Sequence, residues 1–325
     1  LDRINSLKPR YGGRTLNISA SIGVVNFPSQ GKIPVELLAK ADAAMSSAKS
    51  AGRNRVHLYN ETDMMRERMD NQLVWKDRLL EALEKDLLQL VFQPIVAVAG
   101  GRVSHYEVLV RMRERDGTLI SPGKFIPAAE QFGLVQRLDQ RIVSKAVRCL
   151  ADLPRELDSI GLSINLSGLS VGSAEMYQCI EREVREAGVE PARITFEITE
   201  TAAIANLSRA MTFMNRLKAV GCSFALDDFG SGLSSFGYLK TLPVDYLKID
   251  GSFVRDIDQD PIARAMVASI NNIGHEMGLS TVAEFVESAA ILECLQEIGV
   301  DYVQGYHLGR PGPLSELSGV RMMPR

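Results

Sequence analysis

Two aspartates, Asp227 and Asp228, stand side by side near the end of the apolar run SFALDDFGSG. Adjacent carboxylates repel, so their pairing at the end of a buried strand needs a compensating positive charge. Other chemically capable residues sit in comparable places. Gln93 closes LQLVFQP, Glu107 lies in HYEVLVRM, Asn165 in GLSINLS, Glu197 in RITFEITE, Lys248 in DYLKID, Glu284 in STVAEFVE and Gln304 in DYVQGY. The set holds five carboxylates, three amides and one lysine, with no histidine and no cysteine. Hard oxygen donors of this kind favour Mg²⁺ or Mn²⁺ over zinc. The adjacent pair suits two ions, which together clamp the attacking and leaving oxygens of an in-line phosphoryl displacement. Lys248 either orients or deprotonates the attacking water, or neutralises phosphate charge; residue type alone leaves these roles open.

The elements that position these residues follow from the same runs. Each apolar stretch is short, ends in a polar residue, and is separated from the next by helical patterning such as SAEMYQCIEREVREAG, LSRAMTFMNRLKAVG and PIARAMVASINNIGHEMG. Eight such strands over the region from residue 90 onward predict a (β/α)8 barrel, whose site lies at the C-terminal strand ends. A single strand-ending glutamate is more often solvated or capping, and DDFG alone reads as a turn with an Asx cap. The recurrence from strand to strand carries the functional reading.

Residues 1–61 read as strand, helix, strand (LNISASIGVV, PVELLAKADAAMSSAK, RVHLY), too little to bury a core of their own. Residues 62–88 are charged and rich in helix formers, as expected of a helical connector. The barrel is expected over 89–315, followed by a tail at 316–325. The chain has 325 residues and a formal net charge of -3, which argues against a nucleic-acid polymer as partner. It shows no membrane-length apolar run and no apolar leader, so no membrane contact is expected and a cytoplasmic location is. The first residue is Leu1, which fits a piece of a longer protein. Cys149, Cys179, Cys222 and Cys294 show no CxxC spacing and read as reduced thiols.

In order along the chain, QPI (93–95), EVL with Arg111, INLS (164–167), FEITE (196–200), DDFGSG (227–232), LKID (247–250), AEFVE (283–287) and QGY (304–306) resemble the motifs of the EAL-domain cyclic-di-GMP phosphodiesterases. The resemblance spans about 90–312. It implies a TIM-like barrel with an antiparallel first strand, hydrolysis of cyclic di-GMP to linear pGpG with two Mg²⁺ or Mn²⁺ ions, and a homodimer, here through the segment SSFGYLKTL. By motif position it assigns metal binding to Glu107, Asn165, Glu197, Asp227, Asp228 and Glu284, and the nucleophilic water to Lys248. Catalysis would rest on Glu107, Asp228, Lys248 and Glu284. Gln93, Leu109, Arg111, Asp139, Asn165, Phe285 and Gln304 would hold substrate, with Glu200, Glu287 and Ser231 in supporting positions. Three departures stand out: Val108 where the signature has Ala, Ser231 for Thr, and Phe285 in AEFVES where EGVET is usual. Val108 and Phe285 motivate an alternative, a cyclic-di-GMP receptor with little or no turnover. An enolase-like barrel using Lys248 as base fits the adjacent aspartates poorly. ASIGVV and ADAAMSSAKSAGRNRV resemble the end of a GGDEF (diguanylate cyclase) domain, without the half that carries its signature loop.

Overall fold

The computed structural model describes the chain except residues 12–13, 16–17, 155–156, 158, 231–235 and 315–325. Ser231, Gly232 and the expected tail therefore lie outside the described residues. The chain divides into two compact units, Leu1–Arg78 and Leu79–Arg325.

In the second unit, eight strands close into a barrel: β1 Leu88–Ala97, β2 Val103–Arg113, β3 Gly161–Asn165, β4 Ile194–Thr199, β5 Ser223–Phe229, β6 Tyr246–Ile249, β7 Ser280–Ala283 and β8 Tyr302–Val303. The order around the barrel is β1-β8-β7-β6-β5-β4-β3-β2, and β1 pairs back to β2 to close it. β1 runs antiparallel to both neighbours, while β2, β3 and onward to β8 pair in parallel. A short strand, Leu119–Ile120, extends β2 outside the barrel. The fold is thus the expected TIM-like barrel with an antiparallel first strand.

Alternation along each strand sorts the residues. On β4, Ile194, Phe196 and Ile198 are fully buried against the helices, and Thr195 and Glu197 take the other, lumen-facing side. Phe196 and Phe224 meet with ring centroids 5.9 Å apart, and Phe213 adds an edge from the helix outside. The covering helices include α1 Val135–Ala151, α2 Ala174–Ala187, α3 Leu207–Val220, α4 Pro261–Glu276 and α5 Ala289–Ile298. Ser173 caps α2 by accepting from the Met176 N–H, and Gly188 ends that helix at φ 64°, a left-handed conformation that favours glycine. The four cysteines are free thiols.

In the first unit, Ile22–Val24 and Val56–Leu58 pair in parallel, joined through the helix Pro34–Ser50. The stretch expected as a connector is helical over Glu61–Glu84, and the division between the two units falls within that helix.

Candidate active site

The paired aspartates pose a geometric problem before a chemical one. Successive strand residues point to opposite faces, so Asp227 and Asp228 should not share a side of β5. The backbone resolves this locally. The β5–β6 register shifts between Leu226 and Phe229, and Asp228 adopts φ 55°. A bulge with a left-handed aspartate turns the second carboxylate back toward the first. As a result, oxygens of Asp227, Asp228 and Glu284 lie within 4.8 Å of one another. Phe224 and Leu226, both fully buried, hold the strand beneath.

Lys248 stands beside this group, 1 % exposed at the end of β6. Its Nζ lies 2.7 Å from Glu197 Oε2, 2.7 Å from Glu284 Oε1 and 3.0 Å from Asp227 Oδ1. Burial alone would lower the lysine pKa; Asp227, Glu197, Glu284 and Glu107 override it and hold the pKa well above the usual value. Burial pushes the Glu197 carboxyl well up despite the lysine, and Glu284 up to about 7 for the same reason. Asp228 is raised too, by burial and then by the charges of Asp227 and Asp250.

A second network flanks the first. Glu107 accepts from Asn165 Nδ2 at 2.7 Å and from Gln304 Nε2 at 2.5 Å. Gln304 Nε2 also lies 3.3 Å from Gln93 Oε1, and Gln93 donates to the Gly309 carbonyl. The antiparallel β1 places Gln93 directly opposite Glu107, which is how one amide from the reversed strand joins the ring. Among the described residues, two buried carboxylate oxygens have no hydrogen-bond partner, Glu197 Oε1 and Asp227 Oδ1, the latter ion-paired with Lys248 at 3.0 Å but not aligned for a hydrogen bond.

The structure places the other expected residues as follows. Leu109, Phe285 and Glu287 line a cleft of ≈ 270 Å³ with Gln93, Glu107, Glu284, Gln304 and Tyr306. Phe285 sits at φ 54°, 42 % exposed, with Arg255 4.4 Å from its ring centroid. A side chain at Gly251 would collide with that ring, since a Cβ there lies 2.0 Å from Phe285 Cδ2. Val108 is 3 % exposed and, by strand alternation, on the face opposite Glu107, so its extra bulk packs into the core rather than the mouth. Glu200 accepts from the Gly230 N–H at 3.2 Å and from the Tyr238 hydroxyl, tethering the start of the loop after the aspartates. Asp139 is 5 % exposed and accepts from the Ser167 N–H (3.0 Å) and Oγ (2.6 Å), under the loop that follows Asn165. Arg111 donates to the Val110 carbonyl. Tyr306 falls within the QGY stretch, whereas Tyr238, on the short helix Phe236–Leu239, and Arg255 were not legible in advance: neither ends a strand, and an aromatic or arginine outside the strands carries no positional signal in one sequence.

The family model described as EAL domain matches residues 76–311. The chain belongs to the EAL-domain family. The cyclic di-GMP phosphodiesterase PdeB of Shewanella oneidensis is 41% identical to this EAL chain over 303 residues, covering 92% of it and 35% of the relative. The cyclic di-GMP phosphodiesterase NbdA of Pseudomonas aeruginosa is 34% identical over 306 residues, covering 94% and 39%. The chain therefore spans a little over a third of the length of these curated relatives. Among solved structures, the PaMucR phosphodiesterase in complex with c-di-GMP superposes with a TM-score of 0.70 at 33% identity, covering 75% of this chain and 99% of that one. The FimX EAL domain from Pseudomonas aeruginosa bound to c-di-GMP gives 0.69 at 30% identity, covering 73% and 96%.

Proposed function

We propose that this EAL barrel hydrolyses cyclic di-GMP to linear pGpG at a divalent-metal site in its mouth, with two Mg²⁺ or Mn²⁺ ions. The observation that carries this is the convergence of Asp227, Asp228 and Glu284 to within 4.8 Å beside buried Lys248. The donor set fits hard cations: the three clustered groups, Asp227, Asp228 and Glu284, are all carboxylates. The names of PdeB and NbdA, and the c-di-GMP in the PaMucR and FimX structures, support the choice of substrate.

The aspartate pair and Glu284 hold the metals, with Glu107, Asn165 and Glu197 as the further ligands their motif positions imply. When bound, the ions activate water and neutralise charge on the transferring phosphoryl group. Lys248 contacts the attacking water. Gln93, Leu109, Arg111 and Gln304 hold the nucleotide, and the exposed ring of Phe285, backed by Arg255, offers a face on which a guanine stacks. Asp139 supports this set through the loop at Ser167, Glu200 steadies the loop after Gly230, and Glu287 lies at the cleft rim.

Residues 1–61 act as the C-terminal part of a GGDEF-like domain, in keeping with their parallel strand–helix–strand unit, and 62–88 as a connector to a barrel over 89–315 with a tail at 316–325. The functional form is a cytoplasmic homodimer. No helix of the described residues is long and apolar enough to cross a membrane. Phe285, half-exposed at the cleft, favours a second reading in which nucleotide is held without turnover. Incubating the protein with cyclic di-GMP and Mn²⁺ or Mg²⁺, and following pGpG by chromatography, separates the two. Appearance of pGpG is expected; tight binding without pGpG would leave only the receptor.

A further inference from the structure

The barrel lumen contains a small cell beneath the carboxylates. It is lined by Ser163, Thr195, Glu197, Lys248, His105, Tyr246 and Tyr302, with Ile95, Ala225 and Val282 completing the wall, and its volume is ≈ 10 Å³. Two lining residues carry buried side-chain oxygens without a hydrogen-bond partner: Thr195 Oγ1 and Glu197 Oε1. Both residues are nearly sealed from solvent, at 2 % and 1 % exposure. They lie two apart on β4, so they share its inward face, with Thr195 one layer below Glu197. An unsatisfied buried hydroxyl is costly, and an unsatisfied carboxylate oxygen more so. Here two occur together on one cell.

We infer that Thr195 is a positioning residue for Glu197, acting through a single water molecule held in this cell; this rests on the reading of Glu197 as part of the metal site. The size is right: one water needs about 10–15 Å³ measured this way, and an internal water needs two or more polar partners. The hydroxyl can donate to the water or accept from it, while the carboxylate only accepts. The water therefore donates one hydrogen to Glu197 Oε1 and bonds Thr195 Oγ1 from the other side. Glu197 Oε2 is already fixed by Lys248 at 2.7 Å. Holding the second oxygen locks the carboxylate plane. Without it, the side chain keeps one anchor and can rotate about it. Groups that orient a metal ligand in this way are typically worth about 10–100-fold in metal affinity. His105, whose pKa burial lowers to about 4, adds no charge to the cell near neutral pH.

The test is the full chain carrying Thr195→Val, which keeps the shape and removes the hydroxyl, alongside Thr195→Ser, which restores it. Mn²⁺ binding is measured directly by titration with electron paramagnetic resonance, without nucleotide, and folding by thermal unfolding. The expected result is about tenfold weaker Mn²⁺ binding in Thr195→Val, with an intact cooperative transition, and recovery to near wild type in Thr195→Ser. Unchanged Mn²⁺ affinity in Thr195→Val, or failure of Thr195→Ser to recover it, would overturn the inference. If the valine variant does not fold, a high-resolution crystal structure of the wild type decides: an ordered water within hydrogen-bond distance of Thr195 Oγ1 and Glu197 Oε1 supports it, and a dry cell overturns it. A wild-type chain that binds Mn²⁺ but yields no pGpG would sink the hydrolase reading and leave this one standing.

Discussion

At the scale of single residues, the mouth places groups where they destabilise the metal-free protein. Asp228 pairs a left-handed backbone with a carboxylate facing another carboxylate. Asparagine keeps the shape and tolerates that backbone, but removes the repulsion. Asp228→Asn is therefore expected to raise the melting temperature measured in EDTA by about 2–4 °C, the shift that ~1 kcal/mol gives a domain of this size. The same change should lower pGpG production by about a thousandfold, because a second ion supplies several kcal/mol of transition-state stabilisation. An unchanged rate would mean that the aspartate pair does not hold two ions. Lys248→Met tests the opposite charge. It leaves Glu197, Asp227 and Glu284 facing one another without their shared cation, a loss of about 3–5 kcal/mol for breaking a buried ionic group. Thermal unfolding should show that loss in EDTA and a larger recovery on adding Mn²⁺ than the wild type shows. Equal metal responses in the two proteins would argue that Lys248 and the ions do not share the same carboxylates.

At the scale of elements, the start of helix Glu61–Glu84 shows how a short pattern fixes a boundary. Asn60 Oδ1 accepts from the Thr62 N–H at 2.9 Å, and Asp63 Oδ2 accepts from the Asn60 N–H at 2.8 Å, a reciprocal capping pair. Asp63 Oδ1 also accepts from Ser47 Oγ and lies 2.9 Å from His57 Nε2, tying together the helix Pro34–Ser50, the strand Val56–Leu58 and this helix. Burial would raise the Asp63 pKa, but the Asn60 amide, Ser47 and His57 outweigh it, so it lies below the ordinary 3.8. The sign follows: the unfolded chain takes up the proton first, so the stabilisation is complete above about pH 4 and is lost as pH falls through the lower folded value. Protection factors of the amides in residues 47–63, that is, exchange corrected for the slowing of intrinsic exchange in acid, should fall as pH drops, and Asp63→Ala should lose about 1–2 kcal/mol and flatten that pH dependence. Much of the barrel was legible in the same way, because β3 to β8 each carry a polar residue at or next to the C-terminal end of the strand, whereas Gln93 and Glu107 lie in the middle of the longer β1 and β2 and do not end them. What was not legible depends on contacts between strands. Adjacency of Asp227 and Asp228 says nothing of the bulge that aims both inward, and the left-handed Phe285 against Gly251 is set by the loop after β7 meeting the start of the helix Gly251–Val254. The bulk of Val108 looked relevant to the mouth until strand alternation placed it in the core.

At the scale of the whole molecule, the two units differ in how much they can bury. Among the described residues, the buried apolar side chains of Leu1–Arg78 are Ala43, Ala44, Ala48 and Tyr59. The same unit leaves Phe27, Ile33, Val35, Leu38, Val56 and Leu58 more than half exposed. Three small alanines and one tyrosine supply little of the apolar burial that stabilises a fold. The barrel unit, by contrast, holds the large buried side chains Phe125, Phe196, Phe224 and Phe229 and closes its sheet. Stability should then be unequal along the chain. In urea, hydrogen exchange read by mass spectrometry should show residues 1–60 opening first, at a concentration where the barrel strands remain protected. Every residue assigned to the site lies between Gln93 and Tyr306, inside the region matched as an EAL domain. A chain reduced to 76–325 keeps every one of these groups and is therefore expected to fold and to produce pGpG at a rate per barrel within about twofold of the full chain. A single sharp urea transition across both units, together with loss of pGpG in the shortened chain, would show instead that residues 1–75 help to shape the barrel mouth.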